Sequence, residues 1–451
     1  AKASHSIVVF VEETPAQETD SAIAFWQQVV RQRKSASSET AICSSCGRNG
    51  PVLGTFPESV RSGAIPVASG RGRDAQLVSI NKQAQGRGGT VQLANTPVCD
   101  DCGGQSIATL NALLADDDHR YRGEDSVTVW WLQHPSTFNL MRSVRDAQPA
   151  DVRYLYDEVE KARSTHAAVG LDTNQFYALV LSTNEGRVVV RDWIDVPLHR
   201  AVENVKAWFD DHSMVALSKD GRHCVPLWRL HRALGRWDRK KEQWVKDTAP
   251  HSADRLLLTC AFRGRSHRPS GKLLQHLIAR IRADHHVDLD RAALVRFLLI
   301  RRDPGAEGKP MPELDPTHRD PAPPAAYQWG RLFAIFESIQ YTALTDPQTR
   351  QGPNTTIADK FLGTAMTRPQ VVFPMLRRGA SNHLKRLRRD NSKACTALNQ
   401  RLDEVLALVE DPLPMTLDLE GQGWFVLGYH HQRAADRSAA RAAKEAQTSS
   451  P

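Results

Sequence analysis

The chain has 451 residues, of which 41% are hydrophobic, so it is long enough for two or three domains with apolar cores. It has no apolar run near the ~18 residues of a membrane helix and no signal-peptide pattern, and its seven cysteines are few for its length, which excludes membrane-spanning and disulfide-rich secreted classes. The net charge of +8 indicates a polyanionic partner if the arginines are concentrated in a few places.

The first elements are predicted to mix strands and helices. The apolar segment SIVVFVEE predicts a strand, and Ser21–Lys34 predicts a helix with Ile23 and Trp26 on one face. A long irregular stretch with two CxxC pairs follows, and it contains one short strand-like segment, QLVSI. A helix at 106–114 and a strand at 126–132 come next.

The middle of the chain predicts a hairpin followed by helices. A charged helix is expected over Val152–Arg163, and FYALVLSTNEGRVVVRDWIDV reads as two alternating strands around an Asn-Glu-Gly turn. The segment GKLLQHLIARIRADHH has one apolar stripe and predicts a helix. A stretch rich in proline and glycine then predicts a linker, beyond which every periodic segment predicts a helix and the polar end a fraying tail.

The predicted fold class is therefore α+β: a mixed amino-terminal and middle region with a zinc knuckle, followed by an all-α carboxy-terminal helical bundle. The predicted segments are a zinc-clamped region at 1–150, a middle region at 151–305, a linker at 306–322 and a helical bundle at 323–451.

The two CxxC pairs predict a structural zinc site. The candidate ligands are Cys43, Cys46, Cys99 and Cys102. Four thiolates suit tetrahedral zinc and leave no open position for catalysis. The pairs are further apart than in a compact zinc ribbon, but loop closure grows only logarithmically, and the extra length costs roughly 0.9 kcal/mol against ~10–16 kcal/mol for zinc binding. The alternative is two unrelated pairs of buried thiols. Bound metal also favours a reducing, cytoplasmic compartment over disulfides.

The insert between the two pairs is rich in arginine and glycine. It predicts a loop, clamped at its base by the metal, that approaches the phosphate backbone of DNA. The candidate DNA-binding residues are Arg71, Arg73, Gln76, Ser79, Asn81, Lys82 and Arg87. The alternative is a solvated, mobile loop without a ligand.

A second concentration of charge lies in RPQVVFPMLRRGASNHLKRLRRDNSK, which predicts a helix with one apolar edge and one basic face. The residues expected to bind a displaced single strand are Arg377, Arg378, Lys385, Arg386, Arg388 and Arg389. A solvated face or an anionic membrane surface are the alternatives. Nucleic acid is favoured because the chain has a second basic element.

Signals of catalysis are weak. The segment ADHHVDLD contains the Asp-His-His signature of some phosphoesterases, but a helical pattern precedes it and no partner carboxylates are found, so a turn between helices is the preferred interpretation. Five tryptophans could stack on bases, although packing in a core is their commoner use. They are Trp193, Trp208, Trp228, Trp237 and Trp244.

An ordered set of motifs resembles the large subunit of the type I-C CRISPR interference complex. The set comprises RDAQLVSINKQAQGRGGTVQLANTPV, IATLNALL, SVTVWWL, FYALVLSTNEGRVVVRDW, YQWGRLFAIFESIQ, RPQVVFPMLRRGASNHLKRL and FVLGYHHQR. The resemblance covers most of the chain from about Cys43 onwards. Two features depart from the family: many members lack the CxxC pairs, and members usually carry a longer amino-terminal portion. Because the chain begins at Ala1 and not at Met, we expect a fragment or a processed chain.

The resemblance implies a non-catalytic scaffold in an RNA-guided surveillance complex. Its expected partners are the guide RNA, the other subunits of the complex, double-stranded target DNA, the displaced single strand and a helicase–nuclease, with no membrane. The large subunit of that family helps to read the protospacer-adjacent motif and to open the strands. Its helical carboxy-terminal region resembles the small subunit, which is often made from an internal start, and Met311 is a plausible start here.

Two alternatives from other classes remain open. A stand-alone zinc-containing DNA-binding regulator would bind duplex DNA without guide RNA. A phosphoesterase would lose metal-dependent hydrolysis when Asp284 is replaced.

Overall fold

The described part of this computed structural model comprises residues 9–11, 14–16, 19–67, 72–135, 139–164, 174–184, 186–214, 224–302, 323–346, 348–409 and 412–448. Contacts group the chain into two units: 1–133 with 176–195, and 134–175 with 196–451. The first unit contains the main sheet and the second is mostly helical. The mixed α+β fold class with a helical carboxy-terminal region is therefore confirmed. The predicted segment boundaries remain a prediction, and the linker at 306–322 and Met311 lie outside the described residues.

The first unit begins with short elements. They are β1 (Phe10–Val11), β2 (Thr14–Pro15), α1 (Asp20–Lys34), β3 (Ser35–Ile42) and β4 (Asn49–Leu53). The predicted first helix is confirmed, but Ile23 and Trp26 on its apolar face are 43% and 56% exposed. β3 and β4 form an antiparallel hairpin in which Ile42 pairs with Asn49.

A four-stranded antiparallel sheet and one helix build the core of this unit. The elements are α2 (Asp100–Ala115), β5 (Arg120–Arg122), β6 (Val127–Leu132), β7 (Gln175–Asn184) and β8 (Arg187–Pro197), with strand order β5-β6-β7-β8. The predicted hairpin is β7–β8, and Gly186 has the positive φ of 83° that favours glycine in its turn. Ile107 and Leu114 of α2 pack against Val127 and Leu181 of the sheet.

The second unit is built around a helix that is buried on almost all sides. Its elements before the carboxy-terminal helices are α3 (Leu140–Asp146), α4 (Pro149–Ser164), α5 (Leu198–His212), α6 (Leu227–Ala233), β9 (Trp237–Asp238), β10 (Gln243–Trp244), α7 (Ala253–Arg263), α8 (Gly271–Asp284) and α9 (Leu289–Ile300). Residues Ala292 to Val295 of α9 are fully buried. The carboxylate of Asp211 in α5 accepts hydrogen bonds from Arg265 and from Arg301, which stabilises the junction of these helices.

The carboxy-terminal helices of this unit pack along one close seam. They are α10 (Ala325–Leu344), α11 (Ile357–Thr367), α12 (Pro369–Asp390), α13 (Ser392–Leu406) and α14 (Leu419–Thr448). A Cβ atom at Gly330 of α10 would overlap the carbonyl of Phe425, and one at Gly428 of α14 would overlap the carbonyl of Tyr327. The motifs YQWGRLF and LGYHHQR therefore face each other across the α10–α14 seam.

Candidate metal centre and nucleic-acid interface

The first CxxC pair lies at the end of the β3–β4 hairpin. Cys43 is 1% exposed, and its N–H donates to the carbonyl of Arg48 at 2.9 Å. Gly47 donates back to the carbonyl of Cys43 at 2.9 Å and has a φ of 72°, a conformation that side-chain-bearing residues rarely adopt. This tight turn directs the sulfurs of Cys43 and Cys46 to the same side.

The second CxxC pair begins a helix. Cys99 is the residue before α2, and Cys102 lies in the first turn of that helix. The backbone joins the two halves of the site, since Ser44 donates to the carbonyl of Pro97 at 2.8 Å and Leu53 donates to that of Val98 at 2.9 Å. Backbone hydrogen bonds between the β3–β4 hairpin and the segment before α2 therefore hold the two cysteine pairs together in addition to any bound metal.

The four sulfur atoms of Cys43, Cys46, Cys99 and Cys102 lie within 4.8 Å of one another. The sulfurs of Cys46 and Cys99 are 3.9 Å apart. Four sulfurs at ~2.3 Å from a tetrahedral zinc ion would be separated by about 3.8 Å, so the donor set and its dimensions fit zinc. In the described ranges this is the only cluster of potential metal ligands. The prediction that the four cysteines meet is confirmed; the identity of the metal remains a prediction.

The thiols differ in how readily they lose a proton. Backbone N–H groups of Cys46 and Cys99 lower the pKa of Cys43 to about 6, and the guanidinium of Arg48 lowers the pKa of Cys46. At Cys102 a hydrogen bond from the hydroxyl of Ser45 lowers the pKa of the thiol. The sulfur of Cys99, burial and the other two sulfurs outweigh it and raise that pKa to about 12. The first thiolates therefore form easily, whereas a fourth needs a cation to offset the repulsion.

The insert between the cysteine pairs is packed against the core over much of its length. Val60 bridges Ala75 as in an antiparallel strand pair, and both side chains are 1% exposed in the core of the first unit. Asn111 of α2 donates to the carbonyl of Ser59 at 3.1 Å, and Arg122 of β5 donates to that of Gly63 at 2.7 Å. The strand-like segment QLVSI forms a single isolated bridge, between Gln76 and Arg187, and not a strand. With Val60 and Ala75 buried, the expected clamped loop is partly a core element.

The predicted DNA-binding residues of the insert occupy different environments. Arg73, Asn81, Lys82 and Arg87 are exposed, and within the described part of the chain no carboxylate pairs with the three cations among them. Arg71 lies outside the described residues. These exposed residues remain candidates for contact with a polyanion.

The remaining two residues of the set are held by neighbours. The amide of Gln76 is partly buried and donates to the hydroxyl of Ser59 at 2.6 Å. Ser79 donates to the side chain of Asn81 at 3.3 Å, and Gln92 donates to the same oxygen at 2.8 Å. These contacts orient Asn81 and leave its NH2 group for a ligand, while Gln76 acts within the fold.

The predicted basic helix is confirmed as α12, and all six of its predicted strand-binding cations are exposed. With a rotation of about 100° per residue, Arg378, Lys385 and Arg389 project opposite the buried edge. Asp390 is paired with Arg389 at 2.9 Å and with Arg386 at 3.5 Å. Among the described residues, no carboxylate pairs with Arg377, Arg378, Lys385 or Arg388, so their charges are available.

The residues of ADHHVDLD lie at a junction of helices. Asp284 accepts from Arg291 at 2.6 Å and from Arg280 at 2.5 Å. His285 hydrogen-bonds to the carbonyl of Asp359 at 2.6 Å, and His286 stacks on Trp237 with ring centroids 4.0 Å apart. These contacts match the preferred interpretation of a turn between helices.

The tryptophans divide between core and surface. Trp208 is fully buried, whereas Trp193 and Trp228 are 44% and 47% exposed. The Trp131 ring stacks on that of Tyr177 at 5.5 Å and contacts that of Trp193 at 5.6 Å. Sequence reasoning missed this grouping because the three residues come from three separate strands.

The geometry defines a mixed α+β protein with a cluster of four cysteines that could hold a metal ion and with exposed basic surfaces. A family model described as CRISPR-associated protein (Cas_Csd1) matches residues 2–436. The chain therefore belongs to this family of CRISPR-associated proteins. A comparison with curated proteins found no match. None of the described helices is both long and apolar enough to span a bilayer.

Proposed function

We propose that the chain is the non-catalytic large subunit of a type I-C RNA-guided surveillance complex in the cytoplasm. The observation that carries the proposal is the match to the family of CRISPR-associated proteins over residues 2–436. In such complexes base pairing to the guide RNA supplies most of the sequence specificity, so the protein needs to read only a short motif and the backbone. The chain reads the protospacer-adjacent motif, helps to open the duplex, holds the displaced strand and recruits the helicase–nuclease.

Structural zinc has a defined part in this proposal. Cys43, Cys46, Cys99 and Cys102 would hold it, and it would supply no reaction chemistry because four sulfurs fill the coordination sphere. The clamp fixes the start and end of the insert, while the packing of Val60 and Ala75 fixes its middle. The exposed segment around Arg73 and Lys82 is therefore held on a rigid base, which lowers the entropy lost on binding DNA.

The insert provides the first test. Replacing Arg71, Arg73, Asn81 and Lys82 together with alanine is expected to weaken target-DNA binding roughly tenfold or more while leaving complex assembly intact, because phosphate and base contacts are lost. Binding of the assembled complex to target duplex and plasmid interference in cells are the measurements. Lys240→Ala with Lys241→Ala, at exposed positions of the second unit, is the charge-removal control. Interference equal to wild type in the quadruple variant would contradict the assignment.

The basic helix provides the second test. Changing Arg377, Arg378, Arg386 and Arg389 to glutamine is expected to flatten the salt dependence of target binding by up to about 3 in log–log slope, since each phosphate contact on a single strand contributes ~0.7. The pair Arg377 and Arg378 should account for more of the change than Arg386 and Arg389, which share Asp390. An unchanged slope in the quadruple variant would count against a strand-binding role for α12.

The nucleic-acid content of the purified protein separates this proposal from a stand-alone zinc-containing DNA-binding regulator. Co-purification with the other subunits and with RNA of uniform length supports the surveillance complex. Duplex binding by the isolated chain, without RNA, supports the regulator. A phosphoesterase is tested by metal-dependent hydrolysis, which we expect to be undetectable in both wild type and Asp284→Asn.

A further inference from the structure

A cleft in the carboxy-terminal bundle adjoins the basic helix. It has a volume of about 550 Å³ and lies between α10, α12 and the end of α13. Trp329, Phe336 and Phe373 form its aromatic walls, and Arg377, Arg378 and Ser381 lie at its edge. The volume falls within the ~300–1,000 Å³ typical of small-ligand sites, and apolar walls with a few polar groups are typical of them.

The aromatic walls of the cleft are held by ring packing. Trp329 is 8% exposed. Its ring lies edge-on to Phe373, with centroids 5.2 Å apart and planes at 76°. This edge-to-face packing holds the two rings in place as walls of the cleft. Sequence reasoning missed this feature because Trp329 reads as an ordinary core residue of α10.

The edge of the cleft is cationic. Arg377 and Arg378 are exposed, and within the described ranges no carboxylate pairs with either. Ser381 lies one turn further along α12, and Arg388 continues the same side about 16 Å beyond Arg377 at 1.5 Å per residue. A polyanionic chain that follows this side of α12 would pass directly over the mouth of the cleft.

We propose that the cleft receives one unstacked base from a single-stranded nucleic acid that runs along α12. A base offers a planar face to the aromatic walls and an attached phosphate to the arginines. The apolar side chain of a protein partner would contact the walls but leave both guanidinium groups without an anion, so the base is the better fit. This inference rests on the proposed strand-binding role of α12.

The test compares two probes on the full-length protein: a single-stranded DNA oligonucleotide of mixed sequence and an abasic oligonucleotide of the same length. Wild type is expected to bind the base-bearing probe about tenfold more tightly, since stacking is worth this much per base. Ser381→Phe, which fills the mouth of the cleft, is expected to remove that preference. Asn382→Phe, at the neighbouring exposed position outside the cleft lining, should retain it.

A second variant keeps the test decisive if Ser381→Phe does not fold. Phe336→Leu removes one aromatic wall but keeps an apolar side chain, and it is expected to lower the preference for the base-bearing probe about two- to tenfold. Equal binding of both probes by wild type, or a full preference in the folded variants, overturns the cleft proposal while leaving strand binding intact. Failure of wild type to bind either probe overturns the strand-binding role itself.

Discussion

Replacing both Cys43 and Cys46 with serine is expected to abolish stoichiometric metal binding and to lower the free energy of unfolding of the first unit by about 4 kcal/mol or more. A metal ion that binds only the folded state stabilises it by about 4 kcal/mol when its free concentration is about a thousand times its dissociation constant. Structural zinc sites bind tightly enough to reach or exceed this stabilisation. The loss is large because Cys43 is buried and its sulfur accepts the N–H of Cys99 at 3.3 Å. The unit retains some structure, since its core of α2 and the sheet does not involve the metal.

Metal content per chain and thermal unfolding, measured with and without a chelator, test this expectation. Cys395→Ser is the matched control: this cysteine is also buried, at 4% exposed, but it belongs to α13 of the second unit and is not one of the four clustered cysteines. One equivalent of zinc in the control and none in the double variant supports the assignment. Full metal occupancy in the double variant would show that the four sulfurs are not the ligands.

The cysteine cluster was predictable because CxxC pairs carry a local geometry. Two residues between thiols allow a tight turn, and the glycine that follows permits a positive φ, as Gly47 shows. The helix at α2 and the hairpin β7–β8 were predictable for a similar reason, since their apolar periodicity is local. The sequence alone does not reveal that the β3–β4 hairpin is also joined to the segment before α2 by a hydrogen bond from Ser44 to Pro97, because that contact is made by the backbone.

The insert shows where local reasoning stops. Its glycines and arginines are typical of a loop, but Val60, Ala75 and Leu93 are buried in the core of the first unit. Isolated apolar residues have no period, so nothing local shows that they share one core. Arg48 was missed as an influence on the thiols because its role depends on how the turn directs its side chain at Cys46.

The seam between α10 and α14 could not be derived from periodicity either. In the sequence, Gly330 and Gly428 are single glycines within helical patterns, and a glycine at such a position disfavours a helix. In the structure they permit backbone-to-backbone contact between two long helices, an arrangement that depends on residues about one hundred positions apart. The family resemblance pointed to both motifs but gave no physical reason for their joint occurrence.

The second unit should lose much of its stability when the pH is lowered from 6.5 to 5. Three histidines are buried and neutral there: burial lowers the pKa of His212 to about 3 and that of His430 to about 4, and lowers the pKa of His431 well below its ordinary value. Nearby arginines add to the effect. In the unfolded chain each has a pKa near ~6.5, so the unfolded state binds more protons over this range and stability decreases as the pH is lowered.

Each histidine is expected to lower the free energy of unfolding by roughly 1.4 kcal/mol per pH unit below ~6.5, so the three together lower it by about 4 kcal/mol per pH unit. A whole domain has a free energy of unfolding of only ~5–15 kcal/mol. His212 shows why protonation is disfavoured: Val225 donates to its Nε2 at 3.2 Å, so its Nδ1–H donates to Trp208, and an added proton would displace one contact. Urea unfolding at several pH values measures the slope. His430→Gln should lower that slope by about a third. If the slope of the free energy of unfolding against pH corresponds to the uptake of one proton or fewer, these imidazoles accept protons in the folded state and the prediction is wrong.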